Sequence, residues 1–182
     1  LAGPARHHRA LTTVRLDPAG TVCIFSSATA DVLVDVGGYT DPTGSRYRPV
    51  SPFRLTDTRT TGRTLRGGGT PMTVRVAGVA DVPRGATSVT MNVTATRTAG
   101  DGYLTVYPCS SSRPLIASLN FTSQVAQSNT VLSVLDADGA LCIFSSASVD
   151  ILADVTAAWT SDSVATTTTT TAPVAAPVTT TT

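Results

Sequence analysis

The chain has 182 residues, of which 41% are hydrophobic and 14% charged, with a formal net charge of +1. That is enough for one ordinary domain or a domain with appendages. Every acidic residue is Asp and every basic one Arg; with Glu and Lys absent and Thr, Val, Gly and Pro abundant, the usage favours strands and turns over helices. The near-neutral balance and scattered Arg residues argue against nucleic acid as a partner, and no apolar run approaches the roughly 20 residues that span a bilayer, so membrane insertion is not expected.

The N-terminal stretch LAGPARHHRA has poor periodicity and carries His7 and His8, the only two His of the chain. Two adjacent imidazoles make at most half a metal site, and no GxSxG elbow accompanies them, so neither an enzyme nor a metal or other cofactor is expected. Residues 17–36 (DPAGTVCIFSSATADVLVDV) are matched by residues 136–155 (DADGALCIFSSASVDILADV), identical at twelve of twenty positions without a gap, at an offset of 119 residues. Cys23 falls on Cys142, Phe25 on Phe144, and Asp31 and Asp35 on Asp150 and Asp154. The period is too long for a solenoid, so the repeating unit is a domain-sized module.

Leu1 then aligns with Asn120, and the chain opens in mid-module. Residues 1–40 read as the C-terminal third of a first module, 41–51 as a connection, 52–159 as a complete β module, and 160–182 as a Thr/Pro/Ala-rich stalk or linker. The strands expected in the first segment carry apolar faces that need a partner, from upstream chain, the complete module or a neighbouring molecule.

In the complete module, FRLTDTR places Asp57 and Arg59 two residues apart, on one face of a strand, as a structural ion pair with Arg54 nearby. Period-2 alternation then marks TVRVAGV, SVTMNVTATR, GYLTVYP, TVLSVL, ALCIF and DILADV, divided by Gly, Pro, Asp and Ser. The expectation is an all-β fold, an antiparallel β-sandwich or jelly-roll-like module with an extra partial module at the N-terminus. LDPAG and LDADG read as hairpin turns in which Gly20 and Gly139 supply a positive φ. Asp31 with Asp35, and Asp150 with Asp154, share faces, which suggests a solvated face or Arg partners. Tyr103 and Tyr107 also share a face and are the candidate glycan contacts, since two exposed rings stack on sugars; cross-strand packing explains them as well.

The segments FRLTDTRTTG, VAGVADVP, SVTMNVTAT, GYLTVYPC, RPLIASLNFT, SNTVLSVLDADGALCIFSS and VDILADVTAAW resemble a module repeated in secreted and surface proteins of high-GC Gram-positive bacteria. The resemblance covers residues 52–159, and the N-terminal segment matches the module's end up to VDVGGYT. It implies an extracellular β-rich module and brings no catalytic motif with it.

Three Cys without CxxC spacing, in a chain free of Lys, fit an oxidising compartment, outside the cell or on its surface. A bridge between Cys109, just after GYLTVYP, and Cys142 would close a loop of about thirty residues and contribute roughly 3 kcal/mol on the chain-entropy view. Cys23 is left unpaired or intermolecular. In the tail, Thr166, Thr167, Thr168, Thr169, Thr170, Thr171, Thr179, Thr180, Thr181 and Thr182 are the candidate O-glycosylation sites of a stalk. The expected function is a non-enzymatic structural or adhesion module of a bacterial surface protein, joined head to tail into a filament by strand complementation. Its expected partners are further copies of itself or upstream modules of the same protein. The alternatives are cell-wall glycan binding and an accessory domain of a secreted enzyme.

Overall fold

The computed structural model describes residues 10–41 and 43–161. The described chain is nearly all β, with strands β1 (Arg46–Asp57), β2 (Met72–Arg75), β3 (Ala86–Thr96), β4 (Gly102–Tyr107), β5 (Leu119–Phe121), β6 (Gln127–Val134), β7 (Ala140–Ser145) and β8 (Asp150–Thr160), and one helical turn, α1 (Thr58–Thr61). They form two four-stranded antiparallel sheets, ordered β1-β8-β3-β6 and β2-β7-β4-β5, which is the β-sandwich that the alternation predicts.

Period-2 patterning places the core. In β3, Val89, Met91, Val93 and Ala95 are all fully buried, and from the facing sheet Leu104, Leu141 and Ile143 meet them. Alternation fails in β7, where every residue is buried. Its inner face joins the main core, and its outer face (Cys142 and Phe144) lies under a second cluster with Tyr107 and Cys109.

β1 starts at Arg46, inside the stretch read as a connection. Its alternation is hidden by Pro49 and Pro52 and by register shifts between Pro49 and Phe53 and between Arg54 and Thr56. As an edge strand it tolerates prolines that a central strand would not. Arg59 is not on a strand: β1 ends at Asp57, which caps α1, and Arg59 sits within that turn.

The topology interleaves the two halves of the module. No strand of residues 127–160 pairs with another from the same stretch: β6 pairs with β3, β7 with β2 and β4, and β8 with β1 and β3. The back half, β6–β8, thus supplies the inner strand β7 of one sheet and β8 of the other, and takes every ladder hydrogen bond from the front half, β1–β5.

This explains the N-terminal segment. Residues 10–41 repeat the back-half sequence but contain no strand, and all that are described are exposed. What survives is local. In the second copy, the Asp136 carboxylate accepts from Asp138 N–H at 3.0 Å and Ala140 N–H at 2.8 Å; in the first, Asp17 accepts from Ala19 at 2.9 Å and Thr21 at 2.8 Å. The Ser145 hydroxyl donates to Ala147 O at 2.6 Å, and the Ser26 hydroxyl to Ala28 O at 2.5 Å. Gly20 and Gly139 both take positive φ, 78° and 72°. Short-range turns form in both copies, whereas ladders form only where a front half is present.

The two glycines separate these levels. A Cβ on Gly139 would overlap Ala77, which it closely approaches, while one on Gly20 meets nothing within 4 Å. We expect Gly139→Ala to destabilise the sandwich by about 1–3 kcal/mol, through overlap as well as positive-φ strain, and Gly20→Ala to leave its thermal midpoint unchanged. Calorimetry of the two variants checks this.

Candidate functional site

Three places concentrate the chain's chemistry. The first is the outer face of the β2-β7-β4-β5 sheet. There Cys109 and Cys142 form a disulfide with Cα atoms 4.9 Å apart, and the Thr73 hydroxyl lies 3.7 Å from one sulfur and 3.8 Å from the other. The chain after Cys109 folds back over this face. The Thr105 hydroxyl donates to Ile116 O at 2.8 Å, and the Arg113 guanidinium stands 3.7 Å from the centre of the Phe144 ring, a cation–π contact. Tyr103 and Tyr107 do share this face, as period 2 requires. Tyr103 is 37% exposed but Tyr107 only 7%, packed with Cys142, Phe144 and Cys109. The open pair of rings expected for stacking on a sugar is therefore not formed; Tyr107 belongs to a covered cluster, which single-strand alternation cannot distinguish from an open face.

The second place is a chain of charges joining β1 and α1 to β8. Arg54 donates to both Asp154 oxygens, at 2.7 and 3.0 Å, and reaches Asp57 at 3.4 Å. Arg59 donates to both Asp57 oxygens, at 2.9 and 2.6 Å, and its backbone N–H adds a cap hydrogen bond of 3.1 Å to the same carboxylate. The Arg59 side chain, first, then its backbone N–H and the Arg54 charge, hold the Asp57 carboxyl down from its ordinary 3.8 to about 2, against a smaller desolvation effect. The Asp57–Arg59 pair is thus formed, but as a helix cap rather than along a strand.

Asp150 and Asp154 both have the Arg partners that their shared face suggests, Arg97 and Arg54; what the pattern does not show is that the Asp150 carboxylate is buried. It accepts from the Thr58 hydroxyl at 3.1 Å and the Thr64 hydroxyl at 2.7 Å, with Arg97 at 3.6 Å. A buried carboxylate of this kind needs such donors, and all three come from the front half. Thr58 and Thr64 were not distinguishable in sequence from the many other Thr of this chain. The signal available was the recurrence of this Asp as Asp31 in the first repeat copy.

The third place is the exposed segment itself. Eleven of the seventeen large hydrophobics exposed among the described residues lie within it, including Phe25 at 90%, Tyr39 at 85% and Val36 at 84%. Cys23 is an exposed free thiol. A groove of ≈ 440 Å³ separates Leu11, Leu33 and Val36 from Ile116, Asn129 and Leu132.

His7, His8 and the Thr residues of the tail lie outside the described residues. Among the described residues no group of three or more His, Cys, Asp or Glu side chains is placed to hold a metal, and no helix is long and apolar enough to cross a membrane. Comparison with protein-family models, with curated proteins and with solved structures finds no match.

The depressed Asp57 carboxyl makes a signed prediction. On acidification the unfolded state takes up its proton near 3.8 and the folded state only near 2. The pair's contribution to stability is therefore complete above 3.8 and is lost as pH falls from there to about 2. Chemical denaturation across that interval should give a shallower acid limb for Asp57→Asn than for the parent chain.

Proposed function

We propose that the chain is a non-enzymatic structural or adhesion module of an extracellular bacterial surface protein, and that it joins to other modules by sharing β-strands. The observation that carries this reading is the second copy of the back half. One polypeptide presents the same β-forming pattern twice, once built into a sandwich and once open to solvent with its apolar residues exposed. A large exposed apolar surface marks an interaction site, and a segment without sheet neighbours among the described residues is suited to strand addition.

The side chains with unusual environments support a structural role. Asp150 and Asp154 are each engaged by Arg or Thr donors across the junction of the two halves, Asp57 is held by Arg54 and Arg59 within the front half, and the second aromatic cluster is stapled by the Cys109–Cys142 bridge. The bridge supports an oxidising compartment, as does the resemblance to modules of secreted proteins. Filament growth by head-to-tail complementation requires each unit to offer an open back half and an unfilled front half; residues 10–41 supply the first of these.

Cell fractionation with non-reducing peptide mapping tests the reading. The chain should be recovered from the secreted or wall-associated fraction with Cys109 joined to Cys142. Recovery from the cytosol with both thiols alkylatable would overturn it. Reduction of the bridge should lower stability by about 3–4 kcal/mol, since it closes a separation of 33 residues; a denaturation curve with and without reductant measures this.

A further inference from the structure

The geometry points to a specific partner for residues 10–41: the front half, strands β1–β5, of another module of this kind, with both inner strand positions open. This inference rests on the strand-sharing reading above and names what the strands are shared with.

Residue identity does not explain why one copy is folded and the other is not. Ile24 and Phe25 are the same residues as Ile143 and Phe144, yet they are 61% and 90% exposed where their counterparts are 0% and 5%. Val36 and Val155, again identical, are 84% and 0% exposed. What differs is the neighbour: Ile143 pairs with Met72 and Val106, and Val155 with Phe53 and Met91. The missing element is therefore the one that carries β1–β4, and no short peptide or single added strand replaces it, because β7 and β8 lie in different sheets.

Stoichiometry decides between a second copy and a distinct front half. Residues 10–161 contain two back halves and one front, and that front already has its ladders filled by its own β6, β7 and β8. Exchange among residues 10–161 of two copies keeps two back halves for each front, so it supplies no open front for residues 10–41. Exchange is also disfavoured sterically. Val34 would replace Ala153, which is fully buried, and added methyl groups in a packed core are costly. After Val36 the first copy reads GGYT where β8 reads TAAWT; it lacks a counterpart of Thr156, the residue bulged out opposite β3 between Thr90 and Met91. At the front 46–121 the first copy is thus outmatched by that front's own back half, and the partner open to it is a front half that has no back half of its own.

The second copy defines the chemistry of that partner. Cys142 requires Cys109 beside it, so the partner carries a Cys after its β4 that meets Cys23. Asp150 requires two hydroxyl donors, from Thr58 and Thr64, so the partner carries two such hydroxyls for Asp31.

The test supplies a front half and asks whether the segment folds. A copy of residues 43–126 is joined directly to His8 of the otherwise intact chain, matching the junction at which 126 leads into 127. The protein is oxidised with oxidised glutathione, which takes up the two electrons as the two thiols lose their protons and form the S–S bond. Amide exchange at residues 21–36 should slow by at least about a hundredfold relative to the parent chain. Peptide mapping should show Cys23 joined to the Cys of the added copy. With that Cys changed to Ser, the slowed exchange should persist while Cys23 becomes alkylatable.

The thermal transition of the original 46–160 module in the same molecule reports that the fusion is folded. With that transition present, unchanged exchange at 21–36 would overturn the proposal. Bridging of Cys23 to the original Cys109 would overturn it as well, because the segment would then have taken the existing front. Either failure leaves the surface-protein reading to be judged by fractionation.

Discussion

The backbone pairing of β6, β7 and β8 is the constraint on which the rest of the structure depends. These strands follow one another along the chain, but each finds its hydrogen-bond partners only in β1–β4. An unpaired strand buried in a core would leave its backbone groups unsatisfied at considerable cost. The back half therefore either docks completely on a front half or stays hydrated. The same chain displays both outcomes.

The other stabilising contacts follow the same division. The disulfide links the end of β4 to β7, Arg54 links β1 to β8, and Asp150 at the start of β8 gathers hydroxyls from α1 and the loop after it. Each joins front to back. None of them can form within residues 10–41 alone, even though Cys23, Asp31 and Asp35 occupy the matching positions. Local devices, by contrast, need no partner: the Asp17 and Asp136 turns are nearly superimposable in their hydrogen bonding. Turn chemistry is written within a few residues, and sheet formation is not.

The same physics decides what was legible in the sequence. Strands β3, β4, β6, β7 and β8 could be read because one side of each faces a continuous core, and Gly20 and Gly139 could be read because their turns are local. The first part of β1, from Arg46, reads as a connection because its prolines and register shifts interrupt the alternation. Period 2 correctly put Tyr103 and Tyr107 on one face but was blind to the cluster of Cys142, Phe144 and Cys109 that buries Tyr107. It also put Asp150 beside Asp154 and allowed for the Arg partners that both have, but not for the burial of Asp150, because a carboxylate buried among Thr hydroxyls leaves no pattern along its own strand. The first segment looked like strands for the same reason: alternation records what a segment can bury, while the partner that permits burial lies elsewhere.

Amide hydrogen exchange on the native 1–182 chain is the most direct measurement of this account, because it compares the CIFSS sequence at residues 23–27 with the identical one at 142–146 in a single molecule. Exchange should be close to the unstructured rate in the first copy and slower by orders of magnitude in the second, set by the opening of the whole sandwich. Equal protection of the two would mean that the first copy finds its ladder without another front half, and would contradict the account.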